Sequence, residues 1–104
     1  MENEKILRFL GMATAARHTV SGTDLVLSAV RQKVKPGCVV VASDVSERTL
    51  KQLTDKCNYY NVPLIKLPSD MYEVGKRTGK GHPVAAVAVN DKSMADEILK
   101  VSKE

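Results

Sequence analysis

The stretch Cys38-Val39-Val40-Val41-Ala42 is apolar at every position and β-branched through its middle, where a half-exposed strand would alternate apolar with polar residues. Such a run reads as a central strand covered on both faces, and covering both faces of a sheet requires helices on each side. Pro36 forbids helix continuation and Gly37 supplies backbone freedom before the run, while Ser43-Asp44-Val45-Ser46 ends it and caps the helix that follows.

The remaining segments supply those helices. Ile6, Phe9, Leu10 and Ala13 fall at i, i+3, i+4 and i+7, one apolar stripe of a helix over 2–13 with Glu2 and Glu4 near its positive end. Arg17-His18-Thr19-Val20 is too short for an independent element and reads as an irregular approach or a short edge strand. Ser21 then serves as N-cap of a helix running to about Arg31, with Asp24 as the acidic half of a capping box and Leu25 as a contact point on its solvent side. Leu50, Leu53, Thr54 and Cys57 repeat at helical spacing, and Leu64-Ile65-Lys66-Leu67 reads as the next strand. Pro68-Ser69-Asp70 opens a helix with Met71, Val74 and Gly75 on its buried side and Lys76 and Arg77 in its last turn. After the basic loop Gly79-Lys80-Gly81-His82-Pro83 comes a strand of small residues over 84–89. Ser93 and Asp96 then form the capping box of a last helix bearing Ala95, Ile98 and Leu99. The alternation predicts an α/β fold, a three-layer α/β/α sandwich around a mixed sheet of about four strands. Strand order does not follow from periodicity.

A chain of 104 residues suits one domain over 1–104 that buries a core without disulfide or metal support. Cys38 and Cys57 lie in apolar patterns with no Cys-x-x-Cys, which fits buried, reduced thiols, and two cysteines with two histidines make no local zinc set. No metal or cofactor is expected. No run approaches the ~20 apolar residues of a membrane span, and the first five residues lack a signal pattern, so no membrane partner and a cytoplasmic location are the expectations.

Sixteen Lys and Arg against twelve Asp and Glu tilt the chain toward polyanionic partners. Only Phe9 and three tyrosines are aromatic, too few for a broad base-stacking platform. Nucleophilic catalysis needs an activated Ser, Cys or Lys beside a base, and the only two histidines, His18 and His82, lie 64 positions apart in loops, so an enzyme is not expected. Gly79-x-Gly81 lacks the Lys-Ser/Thr of a P-loop. What remains is three loops of small, backbone-exposing and basic residues: Ser21 to Asp24, Ser43 to Ser46 and Lys80 to Val84. The first two open helices, where free N–H groups and a positive dipole end suit phosphate, and Gly22 permits close approach to the backbone. Three ordinary turns would have the same composition, and the residues alone leave binding and plain connection as equal alternatives.

In order and spacing, several stretches resemble the kink-turn-binding family of ribosomal proteins, the L7Ae group, and its short bacterial members most of all. They are Leu10-Gly11-Met12-Ala13, Ser21-Gly22 before a helix, Val39 to Asp44, Asp55-Lys56-Cys57 with Tyr59-Tyr60 and Val62-Pro63, Val74-Gly75-Lys76 with Gly79, and Pro83-Val84. The resemblance covers nearly the whole chain. It implies an α/β/α domain that grips a kinked RNA helix at tandem sheared G·A pairs, using the N-terminus of the second helix and a hydrophobic loop beneath a flipped-out base. Gly22, Thr23 and Asp24 would then approach the RNA, Ser43, Asp44 and Ser46 would flank the groove, and His82, Pro83 and Val84 would form the flipped-base loop, with Lys80 at a phosphate.

The family pattern Gly-x-Asn-Glu-x-x-Lys is only partly present, because Asp24, Leu25 and Ser28 stand at the Asn, Glu and Lys positions. Asp24 can accept from a guanine edge, Leu25 cannot accept, and Ser28 removes a cation. The expected partner is structured RNA, a kink-turn or ribosomal RNA on the ribosome, and not DNA. The alternative is a protein-interaction module of the translation machinery with weakened RNA readout.

Overall fold

The computed structural model describes residues 3–103. Its elements in order are α1 (Asn3–Ala15), β1 (Thr19–Ser21), α2 (Thr23–Val30), β2 (Cys38–Val41), α3 (Glu47–Tyr59), β3 (Leu64–Lys66), α4 (Met71–Arg77), β4 (Ala86–Val89) and α5 (Lys92–Ser102). The strands form one sheet in the order β1-β4-β2-β3. β4 runs antiparallel to both β1 and β2, and β2 runs parallel to β3.

The valine run therefore occupies the interior of the sheet, and its unbroken apolarity has the cause its pattern suggested. Val39 and Val41 on β2, with Ala86 and Ala88 on β4, pack against Val26 and Val30 of α2 and Leu53 and Cys57 of α3. Cys38 and Val40, with Val87 and Val89, face Ile6 and Leu10 of α1, Val74 of α4 and Ala95 and Ile98 of α5. Successive residues of a strand point to opposite faces, so a strand between two helical layers must be apolar at every position. All four residues of β2 and all four of β4 are buried. Each fully buried valine contributes about 1.5–3 kcal/mol relative to exposure. The architecture is the α/β/α sandwich, with α1, α4 and α5 on one face and α2 and α3 on the other.

Two helix starts differ from the expectation. Ser21 is the last residue of β1, paired with Val87, and the ladder continues one step further through the Gly22 N–H to the Ala86 carbonyl at 2.9 Å. The turn consequently falls at Gly22, the N-cap of α2, and the Ser21–Asp24 capping box does not form. At α5 the cap is Asp91, whose Oδ1 accepts from the N–H groups of Ser93 at 2.8 Å and Met94 at 3.2 Å, so Ser93 and Asp96 lie inside the helix. Asp91 lies closer to the strand end, and its carboxylate reaches both donors. β4 begins at Ala86, two positions later than expected, because the Val84 N–H turns away to the Met71 carbonyl at 2.9 Å. Glu2, expected in the first turn of the first helix, lies outside the described residues.

Candidate nucleic-acid interface

Strand direction alone assembles the site. Since β1, β2 and β3 run together and β4 runs against them, the ends of the first three and the start of the fourth share one edge of the sheet. The three loops singled out in the sequence all leave from that edge. Backbone bonds tie them at their bases: Gly22 N–H to Ala86 O, Ala42 N–H to Ala85 O and Ser43 N–H to Ser69 O, at 2.9, 2.9 and 2.8 Å.

The strand-to-helix turns on this edge differ in one respect. At α3, Ser46 Oγ accepts from the Thr49 N–H at 3.1 Å. At α4, Asp70 Oδ1 accepts from the Glu73 N–H at 2.9 Å, and Asp44 reaches across from the neighbouring turn so that its Oδ1 accepts from the Met71 N–H at 2.8 Å. At α2 the cap is glycine and no side chain caps the helix. Thr23, Asp24 and Leu25 precede the first intrahelical bond, and their N–H groups point out of the helix end. Gly22 holds φ 102 and ψ 147, a conformation that favours glycine, and a Cβ placed there would meet nothing within 4 Å. The space above this turn is open, and no side chain of the turn fills it.

The side chains beyond Gly22 are mixed in chemistry. Asp24 sits in the first turn of α2, where the positive end of the helix favours its charge. Leu25 is 59% exposed, as its place on the solvent side suggested. Ser28, one turn further on, lines a shallow groove with Leu25, Val20 and Val34. Ser21, the first residue of the loop singled out in the sequence, has its Oγ buried without a partner among the described residues.

The α4–β4 loop is held against α4. Lys80 N–H donates to the Gly75 carbonyl at 2.9 Å, and the buried Thr78 hydroxyl donates to the Val74 carbonyl at 2.9 Å. A side chain at Gly75 would collide with the His82 carbonyl, so the glycine is what lets the loop lie so close. His82 and Pro83 are exposed, Val84 is buried beneath them, and His82 Nδ1 lies 3.0 Å from the Pro83 carbonyl. Two residues outside the three loops join this region: Tyr72 and Lys76 of α4 line an open groove of about 410 Å³ with Lys80, His82 and Pro83. Their helical spacing was visible in the sequence, but nothing there shows that the loop folds back beside them. At the start of α1, Asn3 Nδ2 donates to Ser69 Oγ at 2.9 Å, and Arg77 donates to both Glu4 carboxylate oxygens at 2.9 Å. That hydrogen-bonded guanidinium holds the Glu4 carboxyl below its ordinary value.

The groups considered for other chemistry are dispersed. His18 lies at the opposite edge of the sheet from His82, its Nε2 3.7 Å from Asp91. Cys38 and Cys57 are buried free thiols, and burial pushes them up to about 12 and about 11, with Asp96 adding to the rise at Cys38. Among the described residues, no three of His, Cys, Asp and Glu gather where they could hold a metal ion. No described helix is long and apolar enough to cross a membrane.

Fold and edge together define a class: an α/β/α domain whose strand-to-helix turns and one basic loop share a single face. A family model described as the ribosomal protein L7Ae/L30e/S12e/Gadd45 family matches residues 4–99, and the chain belongs to that family. It is 41% identical over 90 residues to the RNA-binding protein YlxQ of Bacillus subtilis (strain 168), covering 86% of this chain and 87% of the relative. It is 33% identical over 87 residues to the RNA-binding protein YlxQ of Enterococcus faecium, covering 84% and 82%. Among solved structures, a protein with unknown function from Bacillus halodurans C superposes with a TM-score of 0.87 at 29% identity, covering 96% of this chain and 98% of that one. The Giardia lamblia 15.5kD RNA binding protein superposes with a TM-score of 0.84 at 16% identity, covering 99% and 89%, a likeness of fold.

Proposed function

We propose that this chain is a single, non-enzymatic RNA-binding domain that grips a kinked RNA helix with the β1–α2 turn and the α4–β4 loop, the β2–α3 turn flanking the groove on the same edge. The observation that carries this reading is the uncapped start of α2, where Gly22 leaves first-turn N–H groups and an open approach beside two loops on the same face. The relatives named as RNA-binding proteins support the class of ligand. Backbone donors at a helix end bind the sugar-phosphate path, and recognition rests on the shape of the RNA more than on base edges. Asp24 supplies the one carboxylate of this turn able to accept from a guanine edge. Lys80 meets a phosphate, and Pro83 over the buried Val84 offers an apolar rest for an extruded base. The partner is a kink-turn within ribosomal or other structured RNA in the cytoplasm.

Gel-shift titration against a kink-turn RNA and a control with its G·A pairs disrupted tests the reading. Tighter binding to the kink-turn is expected; equal affinity overturns the kink-turn specificity, and no binding to either overturns RNA recognition. The exposed Leu25 and Val34, where a phosphate-gripping face would carry cations, favour one second reading, contact with a protein of the translation machinery. Partners captured from RNase-treated extract that depend on Leu25 would support it.

A further inference from the structure

β1 is the outermost strand at one lateral border of the sheet, with β4 as its single neighbour. The Gly22 N–H donates to the Ala86 carbonyl at 2.9 Å and the Asn90 N–H to the His18 carbonyl at 2.7 Å, so the bonds of this antiparallel pair fall on residues 18, 20 and 22. Thr19 and Ser21 therefore turn their N–H and C=O groups away from β4, and among the described residues no other backbone group bonds to them. The same alternation sends the Val20 side chain to the face covered by α2 and the Thr19 side chain to the other, where its hydroxyl lies 3.0 Å from that of Thr14.

Beside this open backbone runs the groove of about 360 Å³ whose lining includes Val20, Leu25, Ala29 and Val34, with Lys35 and Asn90 at the end nearest the start of β1. Val34 is 87% exposed. No carboxylate lines the groove, and the chain from 25 to 43 carries Arg31, Lys33 and Lys35 without one acidic residue. Asp91, next to Asn90, is turned into the cap of α5. A row of unpaired N–H and C=O groups is matched by another extended backbone, and residues directly opposite in such a pair put their side chains on the same face. A residue set opposite Val20 points into the groove between Leu25 and Val34. We propose that the outer side of β1 accepts an extended segment of a partner protein as a fifth strand, with an apolar side chain in that groove and acidic residues at the end that reaches Lys35. The inference does not rest on the RNA reading, and its peptide measurements contain no RNA.

Selection of a phage-displayed library of random ten-residue peptides on the full chain, followed by synthesis of the enriched sequences, tests it. Enriched peptides are expected to alternate apolar with polar residues and to carry Asp or Glu at one end. Methylating their backbone amides one at a time should weaken binding about tenfold at every second position of the paired stretch and stay within about twofold at the positions between, because only alternate N–H groups face β1. Val34→Asp should weaken peptide binding about tenfold. Thr19→Pro removes an outward N–H and no ladder bond, and should do the same. Circular dichroism checks the fold of both variants, and the methyl scan on the unsubstituted chain decides the matter if Thr19→Pro does not fold. No enriched sequence, or a methyl scan without alternation, overturns the proposal while leaving RNA recognition standing. A chain that sediments as a dimer and turns monomeric as Thr19→Pro gives this strand to a second copy, and a tenfold loss of kink-turn affinity in Val34→Asp gives the groove to RNA; either result overturns the proposal.

Discussion

The start of α2 and the starts of α3 and α4 are built at the same sheet edge from the same kind of strand-to-helix turn, yet they end in opposite states. Ser46 and Asp70 turn their own oxygens back onto first-turn N–H groups, and Asp44 adds a third acceptor from next door. Those side chains satisfy donors that water or a ligand would otherwise meet. Gly22 provides no oxygen and holds a backbone conformation unfavourable for other residues, leaving the α2 end available. All three turns share the edge, and the absence of an internal cap distinguishes the first from the other two. Ser46, Asp44 and Asp70 serve the fold first, and Gly22 to Leu25 form the surface that can be filled from outside.

That contrast predicts separable effects on binding and stability. Gly22→Glu puts bulk, charge and backbone strain at the open turn; the strain of ~1–3 kcal/mol falls on folding stability, and a lost contact of ~1–3 kcal/mol should weaken kink-turn affinity by about one to two orders of magnitude. A filter-binding titration measures it, and a loss no greater than that of Lys80→Ala would move the interface elsewhere. Ser46→Ala and Asp70→Ala should each cost about 1 kcal/mol in urea unfolding and leave RNA affinity within about twofold, because they remove caps and no ligand contact. A large affinity loss with unchanged stability in either would erase the distinction between open and closed turns. Ser28→Lys adds a cation one turn along α2 from the open end. It should tighten binding modestly and steepen the salt dependence by about one unit of slope, read from titrations across a range of potassium concentrations. A flat response would place the RNA away from this face of α2.

Much of the fold was legible because burial on two faces leaves a strong mark. The valines of β2 and the alternating Ala and Val of β4 have no polar position to spare, and the helical stripes of α1 and α3 repeat at the spacing their packing needs. Strand order was not legible, since it depends on which strands pair and leaves no period in the chain. That missing piece is also what assembles the site, because the antiparallel insertion of β4 between β1 and β2 brings the α4–β4 loop to the edge where the other turns begin. The caps show the limits of local pattern. Ser21 and Ser93 had suitable spacing to acidic partners, but the β1 ladder claims the backbone of Ser21, and Asp91 precedes Ser93 as the nearer acceptor. Tyr72 was overlooked for a related reason: on a helix it reads as a solvated face, and only the glycine-permitted approach of residues 79–83 gives it an opposing wall.

The central claim, that RNA fills the uncapped end of α2 and not the capped ends beside it, is tested most directly by amide chemical shifts of the ¹⁵N-labelled chain during titration with kink-turn RNA. The account predicts that the amides of Thr23, Asp24 and Leu25 move furthest, with those of the α4–β4 loop next and those of Glu47, Arg48 and Thr49 moving less. Largest shifts in the first turn of α3, or at the opposite sheet edge around His18 and Asn90, would contradict it.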